Sequence, residues 1–437
     1  MMKKIKTDIE KEYVYYEKLD NGLDVYLYSK DDINNNYVTF TTKFGSIYNE
    51  FVPIDSDEMI KVPNGIAHFL EHKIFEQRSG LQPEEFFAKS GANTNAYTTF
   101  KNTTYLFSGP EKVYENTLYL LDFVQDLYLT EENVEKEKGI IIQEINMCND
   151  RPGDLLHDKI RENSINSSKF KESIIGTKEE VNSITIELLE KCYNTFYHPS
   201  NMFLVVTGNF DVNKMIDLIK ENQSKKEFLP YKKVKVNFGK EKDDIVKDNE
   251  IVYTNTNIPK IAYSLKIPLK NIKLDKRRIN LYTYILFTLL FDDTSLFDEE
   301  LKKEKIITNS ISLSTINLDS HMLVSLINQT FKCKEYIEKI DKYLDNIKID
   351  EKDLERKKKL LVSNEIFYYD NIYSINDSIV SDIIFDNKVE NNSIELINSL
   401  NIDEFNEFIN NIEYEKSIVI VKNKDKEEYE EEENKDK

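Results

Sequence analysis

GIAHFLEHKIFE, from Gly65 to Glu76, places His68 and His72 four residues apart with Glu71 just ahead of the second. Preceded by Pro63 and Asn64, the stretch reads as a helix from Ile66 to about Gln77. Residues four apart share a helix face, so both imidazoles reach a single ion while Glu71 projects beside them. Neutral imidazoles with a carboxylate suit zinc, one ion per chain, with an open position for a water that the metal acidifies toward neutrality. Glu71 is then the group that takes the water's proton and passes it to the leaving amine. The competing reading is two partly exposed histidines at coincidental spacing. With 5 histidines in the chain, chance produces H-x-x-E-H with a probability of only roughly half a per cent.

A third protein ligand is required. The helical stretch Asn133 to Cys148 offers Glu137 and Glu144, seven residues apart and so on one face, and spacing alone does not choose between them. An internal repeat adds an argument. NVEKEKGIIIQE (Asn133 to Glu144) aligns with DLERKKKLLVSN (Asp353 to Asn364) at an offset of 220, and NSITIELL (Asn182 to Leu189) with NSLNIDEF (Asn398 to Phe405) at 216. MFLVVTGN (Met202 to Asn209) resembles SIVIVKNK (Ser417 to Lys424). At the offset of 220, Glu137 falls on Lys357 and Glu144 on Asn364, and Asn280 to Phe291 offers no His or Glu counterpart of the motif. The second half thus reads as the same scaffold without the metal ligands.

Around these anchors, Asn21 to Lys30 and Asn36 to Glu50 alternate as strands joined by a polar turn, a β-meander, and Asn95 to Ser108 reads as a strand pair. Helices follow at Glu111 to Asp126 and Glu131 to Cys148, then an irregular loop at Arg151 to Asp154 and helices at His157 to Asn166 and Ile186 to Tyr197. The charged stretch 226–248, containing Pro230, reads as a linker. Beyond it come strands in Ile251 to Leu269, a helix at Lys276 to Phe291, strands in Thr308 to Ile327, and helices at Lys334 to Ile347 and Glu351 to Tyr369. The expected organisation is a catalytic domain over 1–225, the linker, a degenerate repeat domain over 249–423 and a solvated acidic tail over 424–437.

Composition narrows the function classes. Apolar residues make up 40%, and 26 Tyr with 24 Phe supply material for two cores. The net charge of −20 repels phosphate backbones and anionic lipid, which argues against nucleic acid. Tyr282 to Phe291, the longest strongly apolar stretch, is far short of the roughly 20 residues of a membrane span. Asp8, Glu10, Lys11 and Glu12 interrupt the N-terminal segment, so it lacks the apolar core of an export signal. Cys148, Cys192 and Cys333 show no CxxC spacing and suit a reducing compartment; the chain is read as cytoplasmic. His157, His198 and His321 stand alone and read as packing or surface residues, and neither a GxSxG elbow nor a Walker loop is present.

GIAHFLEHKIFE, DFVQDLYLTEENVEKEKGIIIQEINM and CYNTFYHPSNM together resemble the pitrilysin family of inverted-motif zinc peptidases, related to mitochondrial processing peptidase, and within it a bacterial YmfH-type branch. The resemblance runs from Asn21 to about Val421. It implies an α+β fold of two homologous domains, each a mostly antiparallel sheet flanked by helices, in a clam-shell arrangement. It assigns zinc to His68, His72 and Glu144, the catalytic base to Glu71, and to Glu137 a supporting role at the catalytic site. It likens Asn95, Ala96, Tyr97 and Thr98 to the edge strand that pairs with an extended substrate.

One departure stands out: many family members carry an Arg and a Tyr in the second half, and the matching stretch, Leu296 to Ser312, has neither. Lys302 or Lys303 substitutes only in part, because lysine lacks arginine's forked donors. The resemblance therefore implies a zinc metalloendopeptidase acting on short or unfolded peptides in processing or maturation. Its expected form is a heterodimer with a paralogous subunit lacking the zinc motif, or a homodimer. The alternative is a weakly active or inactive assembly subunit of a peptide-modification complex.

Overall fold

Among the described residues the first part of the chain forms ten strands: β1 (Lys3–Lys6), β2 (Tyr13–Lys18), β3 (Asp24–Ser29), β4 (Asn36–Thr42), β5 (Glu50–Val52), β6 (Ile60–Lys61), β7 (Asn93–Thr98), β8 (Thr103–Gly109), β9 (Met202–Gly208) and β10 (Lys235–Val236). The structure is a computed structural model describing residues 2–345 and 347–424; the expected tail, apart from Lys424, lies outside the described residues. Seven strands form one sheet in the order β1-β2-β3-β9-β4-β8-β7, and β10, β5 and β6 form a small second one. In the large sheet only β3 and β9 run parallel.

The expected meander from β3 into β4 does not form, because β9 lies between them. All seven residues of β9 are buried, as a strand with both faces covered requires. Period two sends Val25, Leu27, Leu204 and Val206 to one face of this sheet and Tyr26, Tyr28, Phe203 and Val205 to the other.

Eight helices accompany these strands: α1 (Ile66–Ile74), α2 (Pro83–Ala88), α3 (Val113–Val124), α4 (Glu131–Asp150), α5 (Pro152–Ser164), α6 (Lys178–Asn182), α7 (Ile186–Phe196) and α8 (Val212–Ser224). The first sheet face is closed by α1, α3, α7 and α8 through residues such as Phe69, Leu70, Leu120, Leu121, Phe196 and Ile219. Where a loop was expected at Arg151 to Asp154, α5 already begins. Pro152 sits in its first turn, where the missing N–H would have no helical partner anyway.

The second half adds β11 (Asn249–Tyr253), β12 (Lys260–Pro268), β13 (Ser312–Asn317), β14 (His321–Gln329) and β15 (Glu415–Lys422). Its helices are α9 (Lys276–Phe291), α10 (Leu296–Lys303), α11 (Cys333–Leu344), α12 (Glu351–Tyr368), α13 (Ile372–Asp386), α14 (Ser393–Ser399) and α15 (Ile402–Asn410). The sheet order β11-β15-β12-β14-β13, parallel only between β11 and β15, repeats the order and sense of β3-β9-β4-β8-β7. The duplication read from the sequence is thus a duplication of sheet topology, with β15 in the place of β9.

Packing departs from the linear division into 1–225 and 249–423. One unit comprises Met1–Ile145, Glu172–Phe238 and Ser363–Ile394; the other comprises Asn146–Lys171, Gly239–Val362 and the chain from Glu395. The exchanged helices, α5 and α13, start 220 residues apart and are themselves repeat equivalents. α13 buries Ile375, Ile379, Val380 and Ile383 on the second face of the first sheet, while α5 lies over β12 and β15. Asn376, fully buried on α13, accepts from Thr39 Oγ1 (2.6 Å) and donates to the carbonyls of Tyr37 (3.1 Å) and Val205 (3.2 Å).

The stretch expected as a linker is also held in place. Lys235 and Val236 pair with β5, and the Glu241 carboxylate accepts the backbone N–H groups of Asn166 (2.8 Å), Ser167 (3.0 Å) and Ser168 (2.6 Å). Lys266 pairs with Glu241 at 2.5 Å, their side chains 0% and 1% exposed. Removing one partner of such a pair strands a buried charge, so Glu241→Ala is expected to cost roughly 3–5 kcal/mol in denaturant unfolding. A loss below about 1 kcal/mol would show that the clamp does not fasten this segment.

Candidate metal centre

The entry to α1 is fixed by backbone contact. Gly65 precedes the helix at φ +84°, and a Cβ there would collide with the Ile175 carbonyl; Gly176, at φ +74°, faces Asn64 in the same way. Only glycine meets both demands without strain. Asn64 then donates to Glu180 at 2.7 Å, and Phe69 N–H closes the first helical bond onto the Gly65 carbonyl at 2.8 Å. Ile66, Phe69, Leu70 and Ile74 go into the core, which turns His68 and His72 to a common face with ring centroids 4.6 Å apart.

α4 brings the carboxylates. Glu144 Oε2 lies 3.8 Å from His68 Nε2 and 3.7 Å from His72 Nε2. Ligand atoms of these three residues all lie within 4.8 Å of one another. Tetrahedral zinc with bonds near 2.0–2.1 Å separates its donors by about 3.4 Å, and the Glu144 oxygen lies close to that separation from each imidazole nitrogen. Glu137 does not face these nitrogens: its Oε1 holds the other nitrogen of His72, Nδ1, at 3.0 Å. That bond sets the tautomer leaving Nε2 as the ligand atom.

Glu71 is held by the sheet. The Thr98 hydroxyl on β7 donates to Glu71 Oε2. Burial pushes the Glu71 carboxyl above its usual range, against the pull of the Thr98 hydrogen bond and of His72, while nearby Glu144 adds to the rise. Burial, with His72 alongside, drives the His68 imidazole down to about 3, keeping it neutral as a ligand must be. Burial also works to lower His72, but the Glu137 hydrogen bond and the surrounding carboxylates outweigh it and raise the net value. Glu137 ends below its usual range: burial opposes, but the His72 bond and the charges of His72 and Lys73 prevail.

Asn95, Ala96, Tyr97 and Thr98 all lie on β7, an edge of the seven-stranded sheet. They pair with Leu106, Tyr105, Thr104 and Thr103 of β8 on one side only. The Ala96 N–H donates to Asn95 Oδ1 at 2.9 Å. Lys302 is engaged by Asp298 (2.6 Å) and the Ser310 hydroxyl (2.6 Å), while Lys303 is exposed. His198 ties the Ser200 N–H (3.1 Å) and the Leu229 carbonyl (2.8 Å), His321 bridges Ser320 and Asp243, and His157 is exposed.

Two features near the site escaped the reading of the sequence. Lys73, with no exposed side-chain surface, lies 3.7 Å from Glu137 Oε2; its place on the 66, 69, 70, 73, 74 core stripe is the signal that could have marked it. Tyr105 and Tyr197 share a buried hydroxyl contact of 2.8 Å, and both feel the Glu71 charge. The degenerate half keeps a related tie. At the offset of 220, His72 and Glu137 correspond to Asp292 and Lys357, which form an ion pair of opposite sense.

Two family models match the chain: Insulinase (Peptidase family M16) over residues 60–178, which hold every residue of the centre, and Peptidase M16 inactive domain over 183–361. An uncharacterized zinc protease of Bacillus subtilis strain 168, YmfH, is 42% identical over 315 residues, 71% of this chain and 73% of that protein. The beta subunit of human mitochondrial-processing peptidase is 29% identical over 161 residues, 36% of this chain and 33% of its own. The crystal structure of an M16-like peptidase from Alicyclobacillus acidocaldarius superposes with a TM-score of 0.88 at 29% identity, covering 94% of this chain and 99% of that one. With the candidate ligands inside the first matched region and much of the repeat inside the second, this chain belongs to peptidase family M16, the insulinase family.

Proposed function

We propose that this protein is a zinc metalloendopeptidase that hydrolyses peptide bonds in short or unfolded peptides, in peptide processing or maturation. The observation that carries the reading is the convergence of His68 Nε2, His72 Nε2 and Glu144 Oε2 beside a buried glutamate, Glu71, anchored by Thr98. Zinc held by those three residues supplies Lewis acidity, which acidifies water and polarises the scissile carbonyl. Thr98 holds Oε2 of Glu71, which leaves Oε1 to take the proton from the attacking water and deliver it to the departing amine nitrogen. The raised affinity of Glu71 for a proton suits a group that accepts one from water. The open edge of β7 is the proposed seat for the peptide main chain, with Asn95 to Thr98 supplying the hydrogen bonds.

A second subunit belongs to this proposal. Lys302 is already engaged by Asp298, which supports a reading in which a paralogous partner provides the missing Arg and Tyr. A quenched fluorescent peptide library, assayed with and without that partner, tests both points. Cleavage abolished by a zinc chelator and restored by added zinc is the expected result. Stoichiometric zinc with no cleavage under any condition would instead favour an assembly role.

A further inference from the structure

A buried lysine beside the histidines has no part in this mechanism. The Lys73 side chain has no exposed surface, and an ammonium is kept in such a place only by opposite charge and hydrogen bonds. Its partners come from two helices. Glu76 follows it on α1, while on α4 the Asn133 carbonyl accepts at 3.2 Å and Glu137 Oε2 lies at 3.7 Å. Asn133 and Glu137 are four residues apart and stack on one face, so the ammonium spans a single turn of α4. The other Glu137 oxygen meets His72 Nδ1 at 3.0 Å. Glu76, Lys73, Glu137 and His72 therefore form a continuous chain that ends on one of the two rings facing Glu144.

We propose that Lys73 is a positioning residue: it fixes the Glu137 carboxylate and, through it, the orientation of the His72 ring toward the metal. The inference rests on the zinc reading above. With one oxygen hydrogen-bonded to His72 and the other in ion-pair range of Lys73, the carboxylate is held facing the ring. Remove the ammonium, and Glu137 is freed to follow solvent or a neighbouring cation.

The test is a double-mutant cycle in zinc affinity on the full chain, by chelator competition, with wild type, Lys73→Met, Glu137→Gln and the double variant. Zinc content of the wild type is measured first, and a wild type that takes up no zinc overturns the zinc reading itself. Loss of an outer partner of a metal-bound histidine weakens metal binding by roughly 10–100-fold, and each single variant is expected in that range. If Lys73 acts through Glu137, the double variant binds no more than about threefold more weakly than Glu137→Gln alone. The visible absorption of the cobalt(II) forms of Lys73→Met and Glu137→Gln is then alike and differs from wild type. Lys73→Met within about threefold of wild type, or a double variant carrying the product of both losses, overturns the proposal. Should Lys73→Met fail to fold because the Glu137 charge is left without its ammonium, the neutral double variant is compared with Glu137→Gln. Equal zinc affinity upholds the role, and a further loss of about tenfold overturns it.

Discussion

Glu71→Gln lowers peptide hydrolysis by roughly 10²–10⁴-fold, the usual contribution of a positioned general base, and leaves bound zinc at the wild-type level. The amide keeps the size of the carboxylate and an oxygen that accepts from the Thr98 hydroxyl, so the local packing survives. What it loses is the ability to take a proton from water and return it to the amine. His68, His72 and Glu144, the three residues whose donor atoms converge, are untouched. The measurements are initial rates on a fluorogenic peptide and metal content by emission spectroscopy. Wild-type turnover in this variant would remove Glu71 from the chemistry, and simultaneous loss of zinc would place it among the groups that hold the metal.

His72→Ala has the complementary signature: it empties the centre of zinc and abolishes hydrolysis with it. The variant removes a donor atom as well as the Glu137 contact at 3.0 Å, so the affinity loss should exceed the roughly 10–100-fold that an outer partner is worth. Zinc retained at wild-type affinity in chelator competition would show that the ion does not use this ring. The same titration run against pH carries a sign. Proton and metal compete for His72, whose pKa lies above its usual value because Glu137 outweighs burial. Zinc affinity therefore falls as pH is lowered from neutrality, where the imidazolium forms, and levels off on the alkaline side. Affinity that rises on acidification would contradict a neutral-imidazole ligand.

The parts of the centre lying within one helix were legible from residue identities. His68, Glu71 and His72 share the short helix α1, and their relative placement follows from 3.6 residues per turn. The choice between Glu137 and Glu144 was different, because both lie on one face of α4 and spacing alone treats them alike. The way α4 seats on α1 separates them, sending Glu144 to the two Nε2 atoms and Glu137 to Nδ1. Thr98 was singled out as part of an edge strand, but its hydroxyl on Glu71 depends on the β7–β8 register. Lys73 went unnoticed because its α4 partners lie 60 or more residues away.

The fold divides along the same line. The duplication, the span of α9 and the charged helix α12 were readable in one dimension, since periodicity and repeated motifs are properties of the chain itself. Three arrangements were not: the insertion of β9 between β3 and β4, the anchoring of 235–248, and the exchange of α5 and α13 between the two sheets. An apolar stripe states that a face must be buried and roughly how wide it is; it does not name the surface that buries it. Ile375, Ile379 and Ile383 would satisfy either sheet by hydrophobicity alone. Asn376, which hydrogen-bonds to Thr39, Tyr37 and Val205, is satisfied on the first sheet by groups that only the assembled β4 and β9 present together. The sequence by itself determined the paired histidines and the glutamate of the candidate centre, and the repeat, because both are local patterns. Tertiary structure set Glu144 rather than Glu137 against both Nε2 atoms, a choice that spacing left open, and alone decided which sheet each exchanged helix covers, because those depend on directional contacts between residues far apart in the chain.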